Sequence, residues 1–186
     1  MMMMLKLKNP TATLALACAL AAAGCEAKPA NSSGGTQPTT APGAAQSQPQ
    51  RTKITTALPD DAFKATLTPS NPPAAMKTGE QQTVTVHVKN TSPVAWPADG
   101  LPDGRFTITL RDRWLSADGS KVINDVDGGT PMAYDLQPGG EVDLPLKITA
   151  PKEKGNYILE FDMVQEQVTF FREKGSTGAR VKVNVQ

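Results

Sequence analysis

Beyond position 25 the chain contains no cysteine; the two it has are Cys18 and Cys25. Whatever folds downstream is held without a disulfide and offers no thiolate to a metal or a nucleophilic reaction. Histidine is almost as scarce, with His87 alone. The usual four-ligand zinc sets and the Ser-His or Cys-His pairs therefore have little to draw on. Neither sign of charge is in excess, with 19 Lys+Arg against 18 Asp+Glu. A nucleic-acid binder needs a basic stripe, so no nucleic-acid partner is expected. No phosphate loop and no G-x-S-x-G elbow is present. A spanning helix needs about 20 consecutive apolar residues, and no run reaches that length.

The apolar run that does exist, Thr11 to Ala23, follows the basic residues Lys6 and Lys8. This is the layout of an export signal. It ends in Leu20-Ala21-Ala22-Ala23-Gly24-Cys25, which resembles the lipobox of a bacterial lipoprotein precursor, with Ala22 where the family usually has leucine. The resemblance implies cleavage before Cys25, a diacylglycerol on its thiol and an acyl chain on its new amino group. It also implies a lipid bilayer as the first partner. An Asp after the cysteine often marks inner-membrane retention. Glu26 stands there instead, so the outer membrane is expected in a Gram-negative host. Two alternatives stay open: ordinary cleavage after Ala21-Ala22-Ala23, and lipidation at Cys18. Loss of residues 1–24 removes Lys6 and Lys8 and no acid, leaving 17 basic and 18 acidic side chains, a net of −1.

From Glu26 to Arg51 the chain is Ala, Pro, Gly, Ser, Thr, Gln and Asn with almost no large apolar residue. Such a segment buries too little to offset its ordering entropy. Residues 25–57 are thus expected to form a flexible linker with a reach of roughly 30 Å. From 58 to 186 the pattern changes to period two. Inward positions are Phe63-Ala65-Leu67, Val84-Val86-Val88, Phe106-Ile108-Leu110, Val142-Leu144-Leu146-Ile148, Tyr157-Leu159-Phe161-Met163 and Val181-Val183-Val185. Alternation of this kind marks strands with one buried face. Turn signals at Asp118-Gly119, Gly128-Gly129, Pro138-Gly139-Gly140 and Lys154-Gly155-Asn156 separate the later strands. The pattern predicts an all-β fold, an antiparallel sandwich of about seven strands.

Gly155-Asn156-Tyr157 has the form of a tyrosine corner, which points to an immunoglobulin-like topology. If its strand neighbours that of Arg111, Arg111 is expected to face Glu160 or Asp162 on the outer sheet. Further motifs are Asn90-Thr91-Ser92 with Trp96-Pro97, Trp114-Leu115-Ser116-Ala117-Asp118-Gly119, Leu136-Gln137-Pro138-Gly139-Gly140, and Asp162-Met163-Val164-Gln165-Glu166 running into Phe170-Phe171. With these the stretch from Thr78 to Gln186 resembles an immunoglobulin-like module of bacterial proteins. That module is an accessory domain beside glycosyltransferases and methyltransferases of surface-polysaccharide pathways. The Asn-x-Ser-x-x-x-Trp-Pro turn is also similar to that of the four-tryptophan domain of autophagy cargo receptors. The module usually has Trp where this chain has Phe170. The resemblance implies a fold and no catalytic activity.

Candidate chemistry is sparse. His87 lies out of phase with the valines of its strand, so a solvated surface position with no fixed acid nearby is expected. Asn124-Asp125-Val126-Asp127-Gly128-Gly129 lacks the spacing and closing Glu of an EF-hand and reads as a polar turn. Met76, Met132 and Met163 are scattered and read as packing, not copper ligands. Trp114 has core parity. No metal or cofactor is expected beyond the acyl chains on Cys25, and no enzyme. The candidate binding residues are Trp96 in the B–C loop and Phe170, Phe171 and Arg172 near the F–G turn, which meet at one end of such a sandwich. They suit an envelope protein partner or, alternatively, a surface polysaccharide or peptidoglycan. The competing reading is that Trp96 and one aromatic plug the open end of the core, with the parity of Val168 and Phe170 favouring Phe170.

Overall fold

The computed structural model describes residues 50–186, except the side chains of residues 125–127. The export signal, Cys25, Cys18 and the linker up to residue 49 lie outside the described residues. Each period-two run forms a strand in the structure. The strands are β1 (Ala65–Ser70), β2 (Ala75–Met76), β3 (Gln81–Asn90), β4 (Ile108–Ser116), β5 (Val122–Pro131), β6 (Glu141–Thr149), β7 (Gly155–Gln165), β8 (Thr169–Phe170) and β9 (Ala179–Val185). Two of them, β2 and β8, are two residues long, which leaves seven main strands.

One sheet has the order β1-β3-β6, the other β2-β9-β7-β4-β5, with β8 paired to β7. This is the A-B-E and A′-G-F-C-C′ arrangement of an immunoglobulin-like sandwich. The short β2 runs parallel to β9, while the remaining pairs are antiparallel. Val84, Val86 and Val88 of β3 and Leu144, Leu146 and Ile148 of β6 face Ile108, Leu110 and Trp114 of β4 and Leu159, Phe161 and Met163 of β7. Met76, Met132 and Met163 all join this core. Trp114 is fully buried, edge-on to Tyr157 at 6.3 Å between centroids. The hydroxyl of Tyr157 donates to the Glu153 carbonyl at 3.0 Å, which closes the tyrosine corner.

Three expectations change. Residues Asn124 to Gly129 form part of β5, not a turn. Two glycines here serve close approach. A Cβ on Gly128 would stand 2.7 Å from the Lys147 carbonyl oxygen, and Gly129 lies against the Arg111 guanidinium. The side chains on which a calcium reading turns, those of 125–127, lie outside the described residues. Phe106 falls before β4 with φ 66° and is only half-buried, so the inward set of that strand starts at Ile108.

The third change concerns the linker boundary at 57, because residues 50–57 are tied to the sandwich. Ile54 N–H donates to the Asp99 carbonyl at 2.8 Å, and Asp135 N–H to the Gln50 carbonyl at 2.9 Å. The Arg51 guanidinium pairs with Asp99 and reaches the Ala133 carbonyl. Deeper in, the buried amide of Gln165 accepts from Leu58 N–H at 2.9 Å and donates to the Thr56 carbonyl at 3.2 Å. Apart from those of Arg51, the segment makes these bonds through backbone groups, which every residue carries, and a composition-based boundary misses them.

Replacing Tyr157 by Phe removes one hydrogen bond and no volume. It is expected to lower stability by about 1 kcal/mol, read as a lower urea midpoint with unchanged slope.

Candidate interaction site

The B–C loop (residues 91–107) and the F–G segment (166–178) emerge at one end of the sandwich, where Phe106 N–H donates to the Glu166 carbonyl at 3.0 Å and Glu166 N–H to the Thr107 carbonyl at 2.9 Å. The B–C loop is anchored by Asn90, which is wholly buried at the end of β3. Its side-chain amide donates to the carbonyls of Val94 and Leu136 at 2.8 and 2.9 Å. Its oxygen accepts from the N–H and hydroxyl of Ser92 at 2.9 and 2.7 Å. One side chain thereby satisfies the turn that Asn90-Thr91-Ser92 encodes. Trp96 then enters the core as an isolated bridge to Leu136.

The indole of Trp96 is fully buried and donates to the Ala62 carbonyl at 2.8 Å. Ala62 ends a single 3-10 turn, Asp60–Ala62, that precedes Phe63. Phe171 is also fully buried, and two rings meet it edge-on. Its centroid is 5.1 Å from those of both Phe63 and Trp96, with interplanar angles of 81° and 86°. Trp96 and Phe171 are thus the plug at the open end of the core and present no surface to a partner, which bears out the plug reading for Trp96 and corrects the binding set that held both. The inward aromatic is Phe171, not Phe170. The reason is local: Gln167 turns the chain at φ 60°, β8 lasts two residues, and Phe171 begins a second 3-10 turn, Phe171–Lys174. Strand parity does not carry across such a break. Gly175 ends this turn at φ 88°, the left-handed geometry glycine tolerates.

Phe170 and Arg172 remain on the surface side and are half-buried. The Arg172 guanidinium lies over the Phe170 ring, 3.9 Å from its centroid. The same guanidinium donates to Asp162 at 3.1 Å, and the Arg172 N–H donates to the same carboxylate oxygen at 3.2 Å. Val168 is exposed beside them. Val164, Val168 and Phe170 line a shallow recess of about 340 Å³ whose polar rim includes Arg111, Glu166 and Glu173.

The outer face of β7 differs from expectation. Glu160 and Asp162 have outward parity, yet each is only 3% exposed. Arginines cover them: Arg113 pairs with Glu160 from β4, and Arg180 does so at 2.7 Å from β9. Arg111 stands opposite Asp162 in register but pairs with Glu166 at 2.9 Å, so the expected partners of Arg111 are taken by Arg113 and Arg172. Buried pairs of this kind are costly to break by removing one member. Burial pushes the Asp162 carboxyl up to about 6, with Glu160 adding to the rise and Arg172 opposing it. Burial would also raise Glu160, but its bonds to Arg113 and Arg180 outweigh that and hold it below the ordinary range.

His87 lies on the outer face of β3, where the register sets Asp143 directly opposite. Two fixed acids therefore do stand beside it: Asp143 at 2.8 Å from Nδ1 and Glu141 at 3.4 Å from Nε2. The bond to Asp143 raises its pKa, which favours the imidazolium over the neutral imidazole that a general base needs. Among the described residues no group of three or more His, Cys, Asp or Glu side chains converges on a metal position. Nor is any helix among them long and apolar enough to cross a membrane.

No family model matches the chain, and no curated protein does. Among solved structures it is similar to the CARDB domain of a Pyrococcus furiosus protein. The solution structure of that domain has 16% identity over 66% of this chain and 94% of that one, with a TM-score of 0.39. A crystal structure of the same domain with di-metal ions has 15% identity over 66% and 86%, with a TM-score of 0.41. A β-glucosidase from Listeria innocua matches at 17% identity over 66% of this chain and 16% of its own length, with a TM-score of 0.42. At these scores the likeness is one of outline. The fold follows from the strand order itself.

Two outcomes are expected here. Trp96→Ala and Phe171→Ala should each cost about 3–5 kcal/mol, whereas Phe170→Ala should cost well under half of that, measured by urea unfolding. In addition, folded Asp162 takes up its proton at a higher pH than the unfolded chain does. Its contribution to stability therefore rises as pH falls from about 7 towards the ordinary Asp value of about 4. Asp162→Asn should remove this contribution, so the melting temperature of wild type relative to the variant should rise as pH falls over that window. His87, also raised, moves the same way and is left in place in both proteins.

Proposed function

We propose that this chain is a lipoprotein of the bacterial cell envelope, held by acyl chains on Cys25, whose immunoglobulin-like sandwich is a non-catalytic interaction domain. Its contact surface is the flank formed by Val168, Phe170 and Arg172, and its partner is an envelope protein. The observation that carries this reading is the division of the aromatics at the loop end. Trp96, Phe63 and Phe171 are consumed by packing, while Phe170 and Arg172 are stacked in a fixed pose on the surface beside an exposed valine and a recess. An ordered aromatic–arginine pair costs little further entropy on binding, the property of interface anchors. A glycan stacks on a bare ring face, and Arg172 occupies one face of Phe170, so the protein partner is favoured over a polysaccharide. The signal-like segment and its Gly24-Cys25 end support the anchor.

The test compares three full-length proteins in their host: wild type, Cys25→Ser, and Val168→Asp with Phe170→Ala. Wild type and the double variant are expected in the membrane fraction, and Cys25→Ser outside it. Pull-down from solubilised membranes is expected to recover a partner with wild type and to lose it with the double variant, which is expected to stay folded with a cooperative melting transition somewhat below that of wild type. An unaltered partner set with the double variant would sink the assigned surface. Membrane retention of Cys25→Ser with labelled fatty acid attached would move the anchor to Cys18.

A further inference from the structure

Arg172 is shared between a buried carboxylate and a surface ring. Its guanidinium donates to Asp162 Oδ2 at 3.1 Å, and its main-chain N–H donates to the same oxygen at 3.2 Å. The guanidinium also lies over Phe170, 3.9 Å from the ring centroid. The pose of the surface pair is therefore tied to one carboxylate that is 3% exposed.

The charges packed around Asp162 are committed elsewhere. From β4, Arg111 stands opposite in register but pairs with Glu166 at 2.9 Å, and Arg113 pairs with Glu160. From the β9 side, Arg180 pairs with Glu160 at 2.7 Å, and Gly178 brings bare backbone against Asp162. On β7 itself, Glu160 shares the outer face with Asp162. Strand β8 supplies Thr169 and Phe170, which carry no charge. In the turn that follows, Lys174 pairs with Asp60 at 2.8 Å. Two further carboxylates stand near the Arg172 guanidinium, Glu160 at 3.9 Å and Glu173 at 3.8 Å. Glu160 already accepts from two arginines, whereas the Glu173 side chain is 56% exposed.

We propose that Asp162 is a proton-operated latch on this surface: ionised, it holds Arg172 over Phe170, and protonated, it lets the guanidinium leave the ring. A charge-assisted bond is about twice as strong as a neutral one, so a proton on the carboxyl removes much of its hold. Stacking alone is a weak hold at an accessible site, and Glu173 competes for the cation from the solvent side. The Arg172 N–H keeps its bond to the neutral carboxyl and Phe171 stays buried, so the side chain swings while the backbone remains. Burial sets the proton uptake at about pH 6. The latch itself stands on this geometry. Its bearing on recognition rests on the contact surface proposed above, because release unfixes the aromatic–arginine pair that a partner would meet.

The experiment is NMR of the isotope-labelled full-length chain in detergent micelles, taken from about pH 7.5 to about pH 5, alongside Asp162→Asn and Phe170→Leu. In wild type the Arg172 side-chain protons are expected upfield under the ring at the upper pH. They should move to their position in Phe170→Leu in one step that shares its midpoint with the Asp162 carboxyl carbon. Asp162→Asn should show the released position throughout. Pull-down from solubilised membranes should recover about tenfold less partner at the lower pH with wild type, and equally little at both with Asp162→Asn. Arg172 protons that stay in place while Asp162 titrates overturn the latch, as does an unchanged shift in Asp162→Asn. Should Asp162→Asn unfold, the wild-type titration against Phe170→Leu decides alone. A partner recovered equally at both pH values while the protons move overturns the bearing on recognition. Protons that move with no partner recovered at either pH count for the latch and against the contact surface.

Discussion

The open end of this sandwich depends on one ring. Phe171 is met edge-on by Phe63 and Trp96, and the indole N–H of Trp96 is spent on the Ala62 carbonyl. The three rings arrive from separate parts of the chain: the segment before β1, the loop after β3 and the turn after β8. They form one apolar plug with its polar atom satisfied, so each of the three segments is positioned by the other two. The half-buried surface pair Phe170–Arg172 owes its pose to this plug, because Phe171 fixes the backbone between them. A surface feature is thus determined by a buried one.

A second constraint lies on the outer face of β7. Glu160 and Asp162 are buried under arginines contributed by β4, β9 and the turn after β8. The carboxylates differ in what surrounds them. Glu160 is bonded to Arg113 and Arg180, with Arg172 also at 3.9 Å, and is held low, while Asp162 has Arg172 alone together with a like-charged neighbour, and burial raises it. Such a face is stiff, because any strand that shifts leaves a buried charge without its partner.

The strands were legible because period-two alternation reports burial directly. Val84-Val86-Val88 and Tyr157-Leu159-Phe161-Met163 point inward as their parity requires. Residues 122–131 were not legible as a strand. Their aspartates and glycines match turn chemistry, and only the approach of Gly128 to Lys147 explains why glycine is needed in a strand there. Phe170 and Phe171 could not be told apart, since parity fails at the positive φ of Gln167. Glu160 and Asp162 carry outward parity, and parity does not reveal that three arginines from distant segments close over them. The attachment of residues 50–57 was hidden for a related reason: Gln165, one buried amide, holds a segment more than a hundred positions away.

The segment before β1 is bonded at the end of the sandwich that carries Trp96 and Phe171, while β9 finishes at the other end, where Gln186 N–H donates to the Met76 carbonyl at 2.9 Å. The two ends of the described chain are therefore separated by the long axis of the strands. A pull applied between them runs along the hydrogen-bonded ladder joining β7 to β9 and loads its bonds together in shear. Bonds loaded together resist far better than bonds opened in turn.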